Sequence, residues 1–474
     1  MTSQEEQIQW LRHPQAETFI VGRLDQLVAD MPPLQDLQAR LALYTNTRLW
    51  DWLDHLILAD GDAPRGQLAD LGFEPEGVPA EPGDTVYHHP GTMFCRLVLR
   101  EGTGAAPGTA IGAAIAVEQI TQFLTAQRVA APIAGPALSL VEGTPWSPYR
   151  HARVWQVKGR EFLAVERRGH TGFVPLDMAP DYAQRYLQAF ERWFTRPRHL
   201  DDARAGLTQT LALAQALVGE LGTDTAAWMA FEAERLYWQQ RNRAAQVQKS
   251  RQDSLGLGWA NHDHHAFRCS REVFGLLVQI LETFGFRPRE RFYAGAEAGW
   301  GAQVMEQPAC RLAVFADVDL SPDEVEGDFA HGPLAPRREL GTIGLWCALH
   351  GESMLAAGLH HLACRLDFAA AIEALEQQWA IKTMRPFSDF SFLRQAFTRG
   401  ERWAVSPERL ERLATSGQID TRQRERFAQE GAVASHMENI QRGEGFKGFN
   451  QQTVSDIIRR TDPRMRLEDL NNTL

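Results

Sequence analysis

Apolar residues change their spacing along this chain, and each change predicts a different kind of element. Leu24, Leu27 and Val28, then Leu41, Leu43, Leu49, Trp50, Leu53 and Leu56, recur at the spacing of amphipathic helices. A segment rich in Gly, Pro and Asp, residues 59–84, ends that pattern. Short apolar runs at 86–87, 93–99, 111–117, 152–157 and 162–165, separated by turn residues, then predict strands, and residues 118–127 read as one short helix. Helical spacing returns over residues 181–252 through Leu207, Leu211, Leu213, Leu217 and Leu221. That stretch reads as a connector, and no chemistry is assigned to it.

Two similar units follow. In the first, residues 262–268 read as a strand, Ser270 as a helix N-cap, and Val273, Leu276, Leu277, Ile280, Leu281 and Phe284 as the buried side of a helix closed by Gly285. In the second, residues 360–366 read as a strand, Asp367 as N-cap, and Ala371, Ile372, Leu375 and Trp379 as the buried side of a helix. Both carry H-x-x-x-R at the same station, His264 with Arg268 and His361 with Arg365. Recurrence of a strand–helix unit indicates a duplicated α+β module. Between the units, Leu312, Val314, Ala316, Val318 and Leu320 alternate with Ala313, Phe315, Asp317 and Asp319, a strand with one face turning polar at its end.

Composition narrows the function classes. The length of 474 residues allows two or three domains with substantial cores. A formal net charge of −11 argues against nucleic-acid binding as the main business, because phosphate contacts need a concentrated cationic face. Residues 1–6 lack the features of a signal peptide, and no stretch approaches the roughly 18 apolar residues of a membrane span, so a soluble cytoplasmic protein is expected. The five cysteines are widely spaced without C-x-x-C, which favours buried thiols over disulfides or a zinc ribbon. No Walker, H-E-x-x-H or nucleophile-elbow sequence occurs.

Histidines are the informative residues. Seven of fifteen fall in three clusters, His88-His89, His262/His264/His265 and His360-His361. On a strand, His262, His264 and Arg268 share one face, and His264 and Arg268 start roughly 13 Å apart along it. A metal on the histidine and a guanidinium reaching back would bracket a small molecule, and Arg suits bidentate capture of a carboxylate. His88-His89, beside Pro90-Gly91, has no partner unit and is expected in a turn or packing role.

The residues 263–268, Asp-His-His-Ala-Phe-Arg, resemble the Asp-His-x-Ala-apolar-Arg strand of the 2-oxoadipate dioxygenase/decarboxylase family, whose fold belongs to the vicinal oxygen chelate group. Gly285-Phe286, a strand containing Tyr293, Val314-Phe315 leading to Asp319-Leu320, the second station at His360-His361, Gly448-Phe449 and Ser455-Asp456-Ile457-Ile458 follow in the family's order over about the last 220 residues. Cys269 and His360 stand where the family usually has threonine and asparagine. The resemblance implies an α+β fold of repeated βαβββ modules, with His264 and His361 as metal ligands and Arg268 gripping substrate. It implies a third ligand in a C-terminal glutamate, for which Glu430 has the most fitting distance, ahead of Glu425 and Glu444.

Two histidines and a carboxylate form the facial triad suited to non-haem Fe(II). The implied activity is O₂-dependent oxidative decarboxylation of a 2-oxoadipate-like 2-oxo acid to a shortened 2-hydroxy acid. The segments expected are residues 1–180, a helical start plus a strand-rich part open to reading as a degenerate module; 181–252, the helical connector; and 253–474, the metal-binding catalytic domain. The alternatives are a metal-dependent lyase, isomerase or ring-cleaving dioxygenase of the same fold, or a non-catalytic binding protein with a degenerate site. A homodimer is compatible with all of them.

Overall fold

The strands assemble into two eight-stranded mixed sheets built to one plan. The computed structural model describes residues 10–77, 81–129, 141–200, 202–293, 299–356, 358, 360–450 and 461–465, so Ser455-Asp456-Ile457-Ile458 lies outside the described residues. The N-terminal sheet contains β1 (Leu53–Ala59), β2 (Glu74–Glu76), β3 (Thr85–His88), β4 (Arg96–Arg100), β5 (Ala110–Ala116), β6 (Val141–Glu142), β7 (Tyr149–Val157) and β8 (Arg160–Arg167), in the order β2-β3-β4-β1-β5-β8-β7-β6. The C-terminal half contains β9 (His262–Arg268), β10 (Arg287–Tyr293), β11 (Trp300–Gln307), β12 (Leu312–Asp319), β13 (His361–Arg365), β14 (Ser388–Phe390), β15 (Leu393–Phe397), β16 (Glu401–Trp403), β17 (Ala432–Ser435) and β18 (Glu438–Arg442). Its sheet runs β10-β11-β12-β9-β13-β18-β15-β14, and β16 and β17 form a separate ribbon.

Each sheet is a pair of βαβββ modules. The first strand of a module lies parallel to its last, as in β1 with β4, β5 with β8, β9 with β12 and β13 with β18. Parallel neighbours need a crossover, supplied by the helices Asp62–Asp70, Ile120–Ala126, Phe274–Thr283 and Phe368–Trp379. The two modules of each sheet join through their first strands, antiparallel at β1–β5 and β9–β13. The fold is therefore α+β, with repeated vicinal oxygen chelate-like βαβββ modules, a helical N-terminus (Pro14–Asp30, Pro32–Arg40) and a connector of four helices (Tyr182–Phe194, Ala203–Leu221, Thr223–Gln239, Arg243–Asp253).

Alternation along β12 separates two environments. Leu312, Val314, Ala316 and Val318 pack with Phe267 of β9, Leu277 of the crossover helix and Phe231 of the connector, forming a dry layer between sheet and helices. Phe315 faces the other way, with Ala266, Phe292, Trp300, Ala302 and Val304. Among the described residues, no helix is long and apolar enough to cross a membrane.

Two local expectations change. Leu53 and Leu56 lie on β1, whose seven residues are all buried. A central strand covered on both faces is nearly continuously apolar, so its spacing does not separate it from a helix. Ser270 does not cap the following helix; its hydroxyl donates to Glu352 (2.6 Å). Asp367 does cap, accepting from Ala370 N–H (3.3 Å). His89 packs its ring against His13 and Phe73, which is the packing role expected of that pair.

Candidate metal centre

Strand register brings three donor side chains onto one face. Ala363 of β13 is paired with His264 on one side and with Glu438 of β18 on the other, and His361 stands two residues before it. Laterally paired residues and residues two apart share a face of a sheet, so all three side chains project together. His264 Nε2 lies 3.1 Å and His361 Nε2 3.2 Å from Glu438 Oε2. One donor atom from each of the three lies within 4.8 Å of the others, and all three residues are buried.

The surrounding groups leave those atoms available. Between the pairs His262–Cys364 and His264–Ala363, β9 carries one extra residue, Asp263. Such a bulge re-aims its side chain, and Asp263 Oδ1 lies 2.9 Å from His264 Nδ1. Arg442 donates two hydrogen bonds to the same carboxylate, at 2.7 and 2.9 Å. A carboxylate on Nδ1–H fixes the tautomer whose Nε2 lone pair is free for a metal. Glu438 Oε1 accepts from Gln395 Nε2 (2.8 Å), which leaves Oε2. His361 Nδ1 lies 3.0 Å from His436 Nε2, which can accept its proton and so leave the Nε2 lone pair for a metal, with the Arg268 guanidinium a competing donor 3.0 Å from the same Nδ1.

Electrostatics favour a cation at the same place. Burial opposes charge on His264, but Glu438 and Asp263 outweigh it and raise the pKa to about 9. Burial, His436 and Arg268 hold His361 well below the ordinary range, so it is neutral, as a ligand must be. The donor set and its supports therefore fit a divalent metal. With one carboxylate among three ligands, such a centre would carry a net charge of about +1 and attract an anion.

Above these atoms is a pocket enclosing about 400 Å³ of space between its atoms, walled by the rings of Phe292, Trp300, Phe315, Phe387, Phe397 and Phe449. Arg268 and Asp317 also line it. Arg268 Nε lies 3.2 Å from Asp317 Oδ2, so the guanidinium meets both a carboxylate and His361. Burial raises Asp317 to about 7, against the pull of Arg268 and His264.

The structure brings together His264, His361 and Arg268, but not Glu430. Glu430 ends the helix Thr421–Glu430, is 52% exposed and pairs with Arg402. Its position in a helix aims it at solvent, whereas Glu438, 2% exposed, opens a strand beside β13. Glu425 is exposed on the same helix, and Glu444 lies 3.9 Å from Arg12. Glu438 directly follows Met437 and shares alternation with Ile440, the slight signal available for the third donor in an otherwise polar strand. Of the neighbouring histidines, His265 and His360 face the helical layer and bond each other at 2.8 Å.

The N-terminal sheet repeats part of this arrangement. Asp54 is likewise skipped in the pairing of β1 with β5, lies 2.8 Å from His55 Nδ1, and receives two hydrogen bonds from Arg167 (2.7 and 3.0 Å). Setting His55 against His264, register places Gly112 where His361 stands and Leu163 where Glu438 stands. Ile57, Ala114, Leu163 and Phe173 fill that face with apolar groups. The Asp-His-Arg support is thus present twice, and the three-donor set once among the described residues.

No protein-family model matches this sequence, and no curated protein matches it. Solved structures that it resembles include a triple mutant of 4-hydroxymandelate synthase from Streptomyces coelicolor, at 12% identity over 86% of this chain and 98% of that one, with a TM-score of 0.27. Another is the Mn(II)-bound glyoxalase from Novosphingobium aromaticivorans, at 10% identity over 82% of each chain, with a TM-score of 0.18. These are loose superpositions, and the fold class rests on the strand order and module repetition above.

Asp263→Asn, which keeps the side-chain volume but withdraws the carboxylate charge from His264 and Arg442, should weaken metal binding about 10- to 100-fold and lower stability. Metal titration with circular dichroism as the control checks this. Unchanged affinity would remove Asp263 from the centre.

Proposed function

We propose that His264, His361 and Glu438 hold Fe(II), and that the protein oxidatively decarboxylates a small 2-oxo acid to a 2-hydroxy acid one carbon shorter. The observation that carries this reading is the convergence of two imidazole nitrogens and one carboxylate oxygen in a ring-lined pocket. Bound Fe(II) would supply open coordination positions and the redox chemistry that O₂ requires. The protein's part is positioning: Asp263, Gln395 and Arg442 fix the donors, and the aromatic walls exclude water from the reacting groups. One O₂ is consumed per CO₂ released: the CO₂ carries away the substrate's own carboxylate oxygens, and both atoms of O₂ end in the hydroxy acid, one in its new carboxylate and one in its hydroxyl.

Arg268 remains the group proposed to orient the substrate. It already faces Asp317 at 3.2 Å, however, and six rings line the same pocket. That lining favours a second substrate reading, a 2-oxo acid with an aryl side chain, alongside the 2-oxoadipate type. The test is an oxygen-electrode assay of Fe(II)-loaded protein with both kinds of 2-oxo acid. Stoichiometric O₂ uptake and CO₂ release with either supports the reaction and selects the side chain. Iron-loaded protein that consumes no O₂ with any member of the panel rules the oxygenase out and leaves the lyase, isomerase or binding readings.

A further inference from the structure

The second H-x-x-x-R station supplies a histidine to the metal centre, but its arginine goes elsewhere. Arg365 ends β13 and lines a larger cleft between the two halves, enclosing about 1430 Å³ including open solvent. Its Nε is buried without a hydrogen bond, and among the described residues no ion pair engages its guanidinium. The nearby carboxylates belong to other cations: Asp263 is held by Arg442, and Asp51 by Arg48 at 2.6 Å. Arg311, 42% exposed on the turn between β11 and β12, lines the same cleft; its ion pair among the described residues is with Asp54 at 3.7 Å, and Asp54 is already bonded twice by Arg167. A third guanidinium, Arg235, stands behind the cleft wall over the ring of Trp228, with Nε and Nη1 unbonded.

Burying an unbonded guanidinium nitrogen, as at Arg365, is costly and a bound anion relieves the cost, while Arg311 adds an exposed cation to the same cleft. We propose that this cleft is a second ligand site, separate from the metal centre, which takes a small organic anion. Arg365 and Arg311 would bind the anionic group, and Trp52, Trp228 and Phe94 would cover an apolar or aromatic body. The corresponding ends of both sheets wall the site, Asp54 from one and Asp263 from the other. That placement gives the N-terminal half, which lacks the three-donor set, a function of its own.

Calorimetry on the full metal-loaded chain tests the site with benzoate and inorganic phosphate as probes. Benzoate should bind, Arg365→Gln should weaken it about 10- to 100-fold, and Arg365→Lys should retain most of the affinity. Arg311→Gln, on an exposed turn, should weaken it in the same direction and guards against a folding defect in the first variant. His264→Ala should keep a benzoate site of unchanged affinity that Arg365→Gln weakens, whatever benzoate the metal centre also takes, which separates this site from that centre. Absence of benzoate binding up to about 10 mM would overturn the proposal, as would wild-type affinity in both Arg365→Gln and Arg311→Gln. Loss in His264→Ala alone would place the probe at the metal centre and also overturn it. Phosphate binding through Arg365 without benzoate binding would overturn the apolar-body assignment.

Discussion

Glu438→Ala should lower Fe(II) affinity by roughly 10²- to 10³-fold and abolish O₂ uptake, whereas Glu430→Ala should leave both unchanged. The contrast follows from the two environments. Glu438 is buried with Oε2 about 3 Å from both imidazole nitrogens. Removing it leaves His264 and His361 facing each other without a carboxylate to bind the cation directly. Glu430 pairs with Arg402 on the surface, where such a contact contributes little. Glu438→Gln is the sharper variant, because it keeps the volume and the contact with Gln395 while removing the charge. Iron content after desalting and the oxygen electrode give the readouts. Iron retained by Glu438→Ala but lost from Glu430→Ala would reverse the assignment.

The two histidine stations were legible because each lies on the first strand of a module, followed at once by its crossover helix. A buried strand, a helix start and a chemically unusual residue then fall within ten positions. The third donor was not legible by spacing from His361, because β16, β17 and two helices are inserted before β18. That insertion moves the carboxylate along the sequence without moving it in the sheet, where β18 still lies parallel to β13. The same logic explains the N-terminal half. Its strand texture was visible from residue 85 onward, but β1, which carries Asp54-His55, was hidden because Leu53 and Leu56 continue the helical spacing of Leu49 and Trp50. Asp263 acts through a bulge, a feature of pairing that one strand's sequence does not display.

A substitution far from the metal should have the largest effect on stability. Glu234→Ala is expected to destabilise the protein by about 3–5 kcal/mol, because it leaves two guanidiniums buried and unpaired. Glu234, on the connector helix Thr223–Gln239, accepts from Arg196 at 2.7 Å, from Arg198 at 2.9 and 3.1 Å and from Trp193 at 2.8 Å. The same arginines donate to the carbonyls of Met354 and Leu355, in the helical turn Ser353–Ala356 that precedes β13. The cluster therefore ties the connector to the segment that delivers His361, and loosening it should also weaken metal binding. Its pH dependence has a definite sign. Burial opposes ionisation of Glu234, but Arg196 and Arg198 outweigh it and lower the pKa from 4.5 to about 2. A carboxylate depressed in the folded state contributes its full stabilisation above its unfolded pKa and loses it as pH falls through the folded value. Wild type should accordingly lose stability between about pH 4.5 and pH 2, and the gap to Glu234→Gln, measured by urea denaturation, should narrow over that range. A gap below about 1 kcal/mol at pH 7, or one that widens on acidification, would show that the cluster does not anchor the strand.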